Sequence, residues 1–257
     1  VGLAIPVNLV HDHYLSALVH SLADPLVDAG ASLVTRVVHD DSSEKRLYGH
    51  WAKTGGVQGV ALLGLRTGDW RVDHLRSLNM PFASVLTATT QSDDSAVVVD
   101  TAASVRVLRE FFDRKQHQRV VYFSREGAGL ASGGPAVDAG EQFEVVAGDS
   151  GTAELIKSAL EVAKSGPVTL LFDSDVDAAE VMAECSKDGL SIPGDVSIVS
   201  WTESKLCQST TPPITAVNRR GTDIGALLGK VMLATIDGDS RARAFAPEPF
   251  VVQRESA

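Results

Sequence analysis

Cysteine is scarce: Cys185 and Cys207 are the only two in 257 residues. One pair cannot staple a small loop-rich scaffold, so a disulfide framework is excluded, and the count favours neither an oxidising nor a reducing compartment. Long apolar runs are missing too, all of them well short of the roughly 20 residues a spanning helix needs. The chain opens on Val1 in a strand-like run without a charged-then-apolar leader. Basic charge is also short: 23 Lys and Arg stand against 33 Asp and Glu, a formal charge of −10. Gripping a phosphate backbone needs clustered Lys and Arg, which this balance argues against. Collagen, coiled coil and wholesale disorder are excluded by composition. What remains is ordinary globular material, 44% hydrophobic and 22% charged, long enough for one large domain or two lobes.

The apolar pattern alternates between short β-branched runs and helical spacing. Val1–Ile5 reads as a buried strand; Leu15, Leu18, Val19, Leu22 and Leu26 then recur at helical intervals, and Gly30 closes that helix. Strands follow at Ser32–Val38, Val57–Leu63 (launched from Gly55–Gly56), Phe82–Leu86 and Ala96–Val99, with helices over 43–54 and Trp70–Leu78 between them. After residue 101 the rhythm resumes. A helix carrying Val105, Leu108 and Phe112 leads to strand Arg119–Phe123; then come strand Phe143–Val146, helix Ala153–Ala163, strand Val168–Phe172, helix Ala178–Ser186 and strand Val196–Ser200. Apolar strands separated by amphipathic helices predict an α/β fold whose parallel sheets are covered on both faces, with two such sheets. Ile224, Leu227, Leu228, Val231 and Met232 form a helical face expected to be core. Residues 124–142 break the rhythm, being rich in Gly without helical periodicity. Either a loop crosses there, or a helix belongs where the residues show none.

Several motifs invite sharper readings. Gly148-Asp149-Ser150-Gly151, with Ser132-Gly133-Gly134-Pro135 upstream, has the look of a serine nucleophile loop, but no converging base and carboxylate accompany it. Asp149, Ser150 or Thr152 reads instead as a helix cap. Gly127-x-Gly129 lacks the third glycine and the helix start of a dinucleotide loop. His11-Asp12-His13 offers three metal ligands in a row without a partner set elsewhere, so a polar lining or a cap is the better expectation. Asp173-Ser174-Asp175-x-Asp177 follows one strand and Trp201-Thr202-Glu203 another, while Tyr14 lies just past the first. In open α/β sheets the carboxyl ends of strands are where ligands bind. Aromatic faces beside carboxylates there suit a sugar or another polar ring. No activated nucleophile, metal set or cofactor loop survives, so neither catalysis nor a cofactor is expected.

The tail carries a resemblance. Gly189-Leu-Ser-Ile-Pro-Gly-Asp-Val-Ser-Ile-Val-Ser-Trp201, then Thr211-Pro-Pro-Ile-Thr-Ala-Val217, resembles the effector-binding core of LacI/GalR-type transcriptional repressors. So do Val99-Asp100 before a helix, His117-Gln-Arg119-Val-Val, and the ending Val251-Val-Gln-Arg-Glu-Ser256. The resemblance implies two similar lobes of periplasmic-binding-protein type: residues 1–100 with about 219–240, and 101–218 with about 241–257. It implies an effector cleft between them, a homodimer in the cytoplasm without membrane contact, and operator DNA bound through a helix-turn-helix headpiece. Since Val1 begins on the first core strand, that headpiece is expected to be absent from this chain. Carried over position by position, the small-molecule site comprises Asp12, His13, Tyr14, Asp100, Arg125, Ser174, Asp175, Trp201 and Thr202. Thr202 stands where the family has a sugar-gripping Asp, and Ser174 where it has Asn. A carboxylate grips two sugar hydroxyls better than a threonine does. The expected function is thus the effector-binding core of a ligand-responsive repressor; the alternative is a periplasmic sugar-binding protein of a transporter.

Overall fold

A computed structural model describes residues 1–10, 12–65, 67–117, 119–125, 143–148 and 151–257. The chain divides into two compact units. Unit 1 comprises Val1–Asp100 and Arg220–Pro247, and unit 2 comprises Thr101–Arg219 and Glu248–Ala257.

In unit 1, strands β1 (Gly2–Pro6), β2 (Val34–Val38), β3 (Val60–Leu62), β4 (Phe82–Thr87), β5 (Ala96–Val99) and β11 (Arg243–Phe245) form one parallel sheet in the order β11-β5-β4-β3-β1-β2. Helices α1 (His13–Asp28), α2 (Asp41–Thr54), α3 (Trp70–Ser77) and α8 (Gly221–Ile236) belong to the same unit. β11 corrects the boundary expected near residue 240: it pairs with β5, so unit 1 runs on to Pro247. α1 ends as its sequence foretells, with Gly30 left-handed at φ 73° and the Ala31 amide donating to Leu26 O at 2.8 Å. Strand β3 starts three residues later than expected, because Gly55 is the left-handed cap of α2 rather than a strand launch.

α1 and α8 pack backbone against backbone. A Cβ at Gly225 would lie 2.2 Å from Leu18 O, and one at Gly229 would lie 2.7 Å from Leu22 O. Only glycine permits that approach, which brings Leu18, Leu22 and Leu26 against Ile224, Leu228 and Met232 in one buried cluster. Ile224, Leu228, Val231 and Met232 are buried within the unit, and Leu227 is partly buried against the same cluster.

In unit 2, β6 (Val120–Arg125), β7 (Glu144–Gly148), β8 (Val168–Phe172), β9 (Val196–Ser200), β10 (Thr215–Asn218) and β12 (Phe250–Val252) are ordered β12-β10-β9-β8-β6-β7, parallel except for β12. With α4 (Thr101–Lys115), α5 (Thr152–Ala163), α6 (Asp175–Lys187) and the short α7 (Lys205–Ser209), it encloses two apolar clusters. α5 is capped at Gly151 without a side-chain hydrogen bond. The cap is therefore none of the expected Asp149, Ser150 or Thr152. β6 and β7 pair in parallel, but most of the irregular 124–142 stretch lies outside the described residues, as do the Gly127-x-Gly129 and Ser132–Pro135 motifs and Asp149-Ser150.

Candidate functional site at the carboxyl ends of the strands

In each unit the strand order turns about its first strand. β2 and β3 flank β1 on opposite sides, and β7 and β8 flank β6. Such switch points open a crevice at the carboxyl ends. In unit 1 that edge carries Asp12, His13 and Tyr14 just beyond β1. Asp12 caps α1, its Oδ1 accepting from the Leu15 amide at 2.7 Å. His13 is exposed, and the half-buried Tyr14 ring lies against Gly221. Asp100 follows β5 and is exposed, but three strand spacings separate β5 from β1, roughly 14 Å along the edge. The structure therefore does not bring Asp100 beside Asp12. Thr87 closes β4, its hydroxyl 3.0 Å from that of Thr89 and 2.8 Å from that of Thr90.

A buried polar cluster stands behind this edge. Arg71 lies between Asp69 and Glu44, and the Tyr48 hydroxyl donates to Glu44 Oε1 at 2.5 Å. Burial pushes the Glu44 carboxyl above the usual carboxylate range, against the pull of Tyr48 and Arg71. A raised value means the folded state binds this proton more tightly than the unfolded chain does. That contribution to stability is complete below the unfolded pKa and is lost as pH rises through the folded one. Glu44→Gln makes the uncharged form permanent, so its stability relative to the parent should improve as pH rises from about 4 to 7. Urea unfolding of both proteins across that range checks it, and a pH-independent difference would contradict the assignment.

In unit 2 the edge is a connected network. Asp173, just past β8, accepts from Tyr122 at Oδ1 and from Ser124 at Oδ2 (2.9 Å). Burial, then the Asp173 charge, hold the Tyr122 phenol well above its ordinary pKa, so it remains a donor. The Thr202 hydroxyl donates to Asp173 O (3.1 Å) and accepts from Arg219 Nη2 (3.1 Å). Arg219 Nε donates to Trp201 O at 3.0 Å, and its guanidinium sits 5.7 Å from the Trp201 ring centroid, a cation–π distance. Ser174 caps α6, accepting from the Val176 and Asp177 amides, and the buried Asp175 accepts from Ser204.

Ser174, Asp175, Trp201 and Thr202 are thus brought together. Trp201, however, is 1% exposed and packed in the core beside α4, and Thr202 is 4% exposed. Neither turns a broad surface outward. Arg125 ends β6, and its side chain lies outside the described residues. Tyr122 and Arg219 are what the sequence reading missed, and Asp173, singled out with its acidic cluster, stood outside the carried-over site residues. The strand-end rule points to Asp173 and Arg219, which follow β8 and β10, whereas Tyr122 lies inside β6 and carries no such signal. A cavity of about 310 Å³ lies at the opposite end of this sheet, lined in part by His117, Arg119, Thr169 and Asp195, away from the network. Among the described residues, which do not include His11, no group of three or more His, Cys, Asp or Glu side chains is placed to hold a metal. Among them, too, no helix is long and apolar enough to cross a membrane.

Two α/β units with parallel or almost wholly parallel sheets, each with polar side chains gathered at a switch point, define a class of small-molecule-binding folds. Residues 72–257 match the periplasmic binding protein-like domain, and the chain belongs to that family. The HTH-type transcriptional repressor PurR of Vibrio parahaemolyticus is 24% identical over 106 residues, which is 41% of this chain and 32% of the relative. The alignment thus spans about a third of the length of that curated relative. A LacI family transcriptional regulator from Bifidobacterium animalis subsp. lactis has the same fold, with TM-score 0.83 at 23% identity over 100% of this chain and 96% of that one. The transcriptional regulator CelR, solved with cellobiose, gives 0.79 at 20% identity over 100% and 84%.

Proposed function

We propose that this chain is the effector-binding core of a LacI-type transcriptional regulator. It takes up a small molecule, a sugar or related metabolite, through polar groups at the carboxyl ends of its strands. In the intact homodimer, binding is coupled to operator DNA held by a headpiece outside this chain, in the cytoplasm and without catalysis. The observation that carries this reading is the Tyr122–Asp173–Ser124 and Thr202–Arg219 network at the switch point of unit 2, hydroxyl-rich and anchored on one carboxylate. Asp12, His13, Tyr14 and the threonines after β4 supply polar groups on unit 1. Relatives that are transcriptional regulators favour this over a transporter's binding protein. The cellobiose in the CelR structure supports a sugar as the ligand class.

Binding shifts a two-state regulator only through different affinities for the two states. A thermal-shift screen of mono- and disaccharides, cellobiose included, should find at least one that stabilises the protein by about 2.7 kcal/mol at a hundredfold excess over Kd. That sugar should then change the operator affinity of the intact protein. A screen without a hit sinks the sugar class, and a binder that leaves operator affinity untouched sinks the regulatory coupling.

A further inference from the structure

The loop leaving β3 borders the switch-point crevice of unit 1. It begins at Leu63 and closes at Asp69, the cap of α3. A single guanidinium ties its two ends together. Arg71 Nη1 donates to Leu63 O at 3.1 Å and Nη2 to Gly64 O at 3.2 Å. Its Nε and Nη2 grip Asp69 at 2.9 and 2.7 Å, and Glu44 lies 3.7 Å from Nη1. The Arg71 side chain is only 15% exposed. Burial works against its charge, but Asp69 and then Glu44 outweigh that and hold it cationic. Gly64 is left-handed at φ 61°, so the carbonyl that Arg71 holds leaves a backbone turn that side chains other than glycine disfavour.

We propose that Arg71 is a positioning residue. It holds Leu63, Gly64 and Asp69, the two ends of the β3–α3 connection, in place at the carboxyl-end edge of unit 1, an inference that rests on the ligand-binding reading above. The geometry requires a fork: two carbonyls and a carboxylate are met by three nitrogens spread over a planar group. A lysine presents all its donors from one nitrogen and cannot span them. Arg71→Lys therefore retains the charge beside Asp69 and Glu44 while releasing the loop.

The test combines amide hydrogen exchange with calorimetric titration of cellobiose, on parent and Arg71→Lys protein. The amides of Gly64, Leu65 and Gly68 should exchange at least tenfold faster in the variant, while those of Ala61 and Ala83 in the sheet keep their protection. Cellobiose affinity should fall about tenfold. Loop amides within twofold of the parent, or an equal rise throughout the sheet, overturn the assignment. Looser loop amides with unchanged cellobiose affinity remove Arg71 from the ligand edge. If the parent protein itself binds no cellobiose, the reading of cellobiose as a ligand fails, and the exchange measurement alone decides what Arg71 does.

Discussion

Gly225→Val is expected to destabilise unit 1 by about 3 kcal/mol or more, at or above the usual cost of overpacking a core. The new Cβ would start 2.2 Å from Leu18 O and 3.0 Å from Leu22 N. Both are backbone atoms of α1, so no rotamer change relieves the clash, and the two helices must separate. Separation exposes the contacts among Leu18, Leu22, Ile224 and Leu228, all within 2% of full burial. Gly225→Ala sets two effects against each other. Alanine gains about 1 kcal/mol of helix propensity, but the same Cβ collides. The collision should win, and the urea midpoint should fall. Gly49→Ala is the control, since Gly49 lies within α2 and a Cβ there meets nothing within 4 Å. Its midpoint should rise. If both alanine variants rise together, α1 and α8 do not pack at the distance described.

Asp173→Ala should cost roughly 2–4 kcal/mol and abolish ligand binding. It leaves the Tyr122 and Ser124 hydroxyls without their acceptor, and an unsatisfied buried donor costs about 1–3 kcal/mol. Tyr122 is 0% exposed but Asp173 is half-buried, so water entering the vacated place offsets part of the loss and leaves the cost nearer the lower figure. Adding Tyr122→Phe removes one orphaned donor and should restore part of the loss, because deleting both partners is cheaper than deleting one. Urea unfolding of the parent, both single variants and the double variant measures the coupling. Additivity within about 0.5 kcal/mol would mean that the pair is not a unit.

Much of the architecture was legible in local pattern. Val168–Phe172 and Val196–Ser200 read as continuous strand runs, and every residue of both is buried, as a central parallel strand requires. β2 looked much the same in sequence, yet four of its five residues are exposed because it lies at the sheet edge. Position within a sheet is a property of pairing, which the residues of one strand do not encode. α6 begins three residues before its apolar period, where Asp175 and Asp177 suit the positive end of the helix. The residues from about 241 onward read as second lobe; Glu248–Ala257 belong there, but the pairing of β11 with β5 keeps the chain in unit 1 up to Pro247.

The candidate site divides along the same line. That polar groups follow β1, β8 and β9 could be read from the strand runs and the strand-end rule, without coordinates. Which atoms do so could not. Trp201 and Thr202 turn inward because Arg219, 17 and more positions away along the chain, holds the Trp201 carbonyl and the Thr202 hydroxyl. Asp173 becomes the central carboxylate because Tyr122, 51 positions earlier, reaches it from β6. Periodicity and capping act over a few residues, so the chain records them openly. Hydrogen-bond partners that meet only after two strands have paired leave no local trace, and folding alone assigns them.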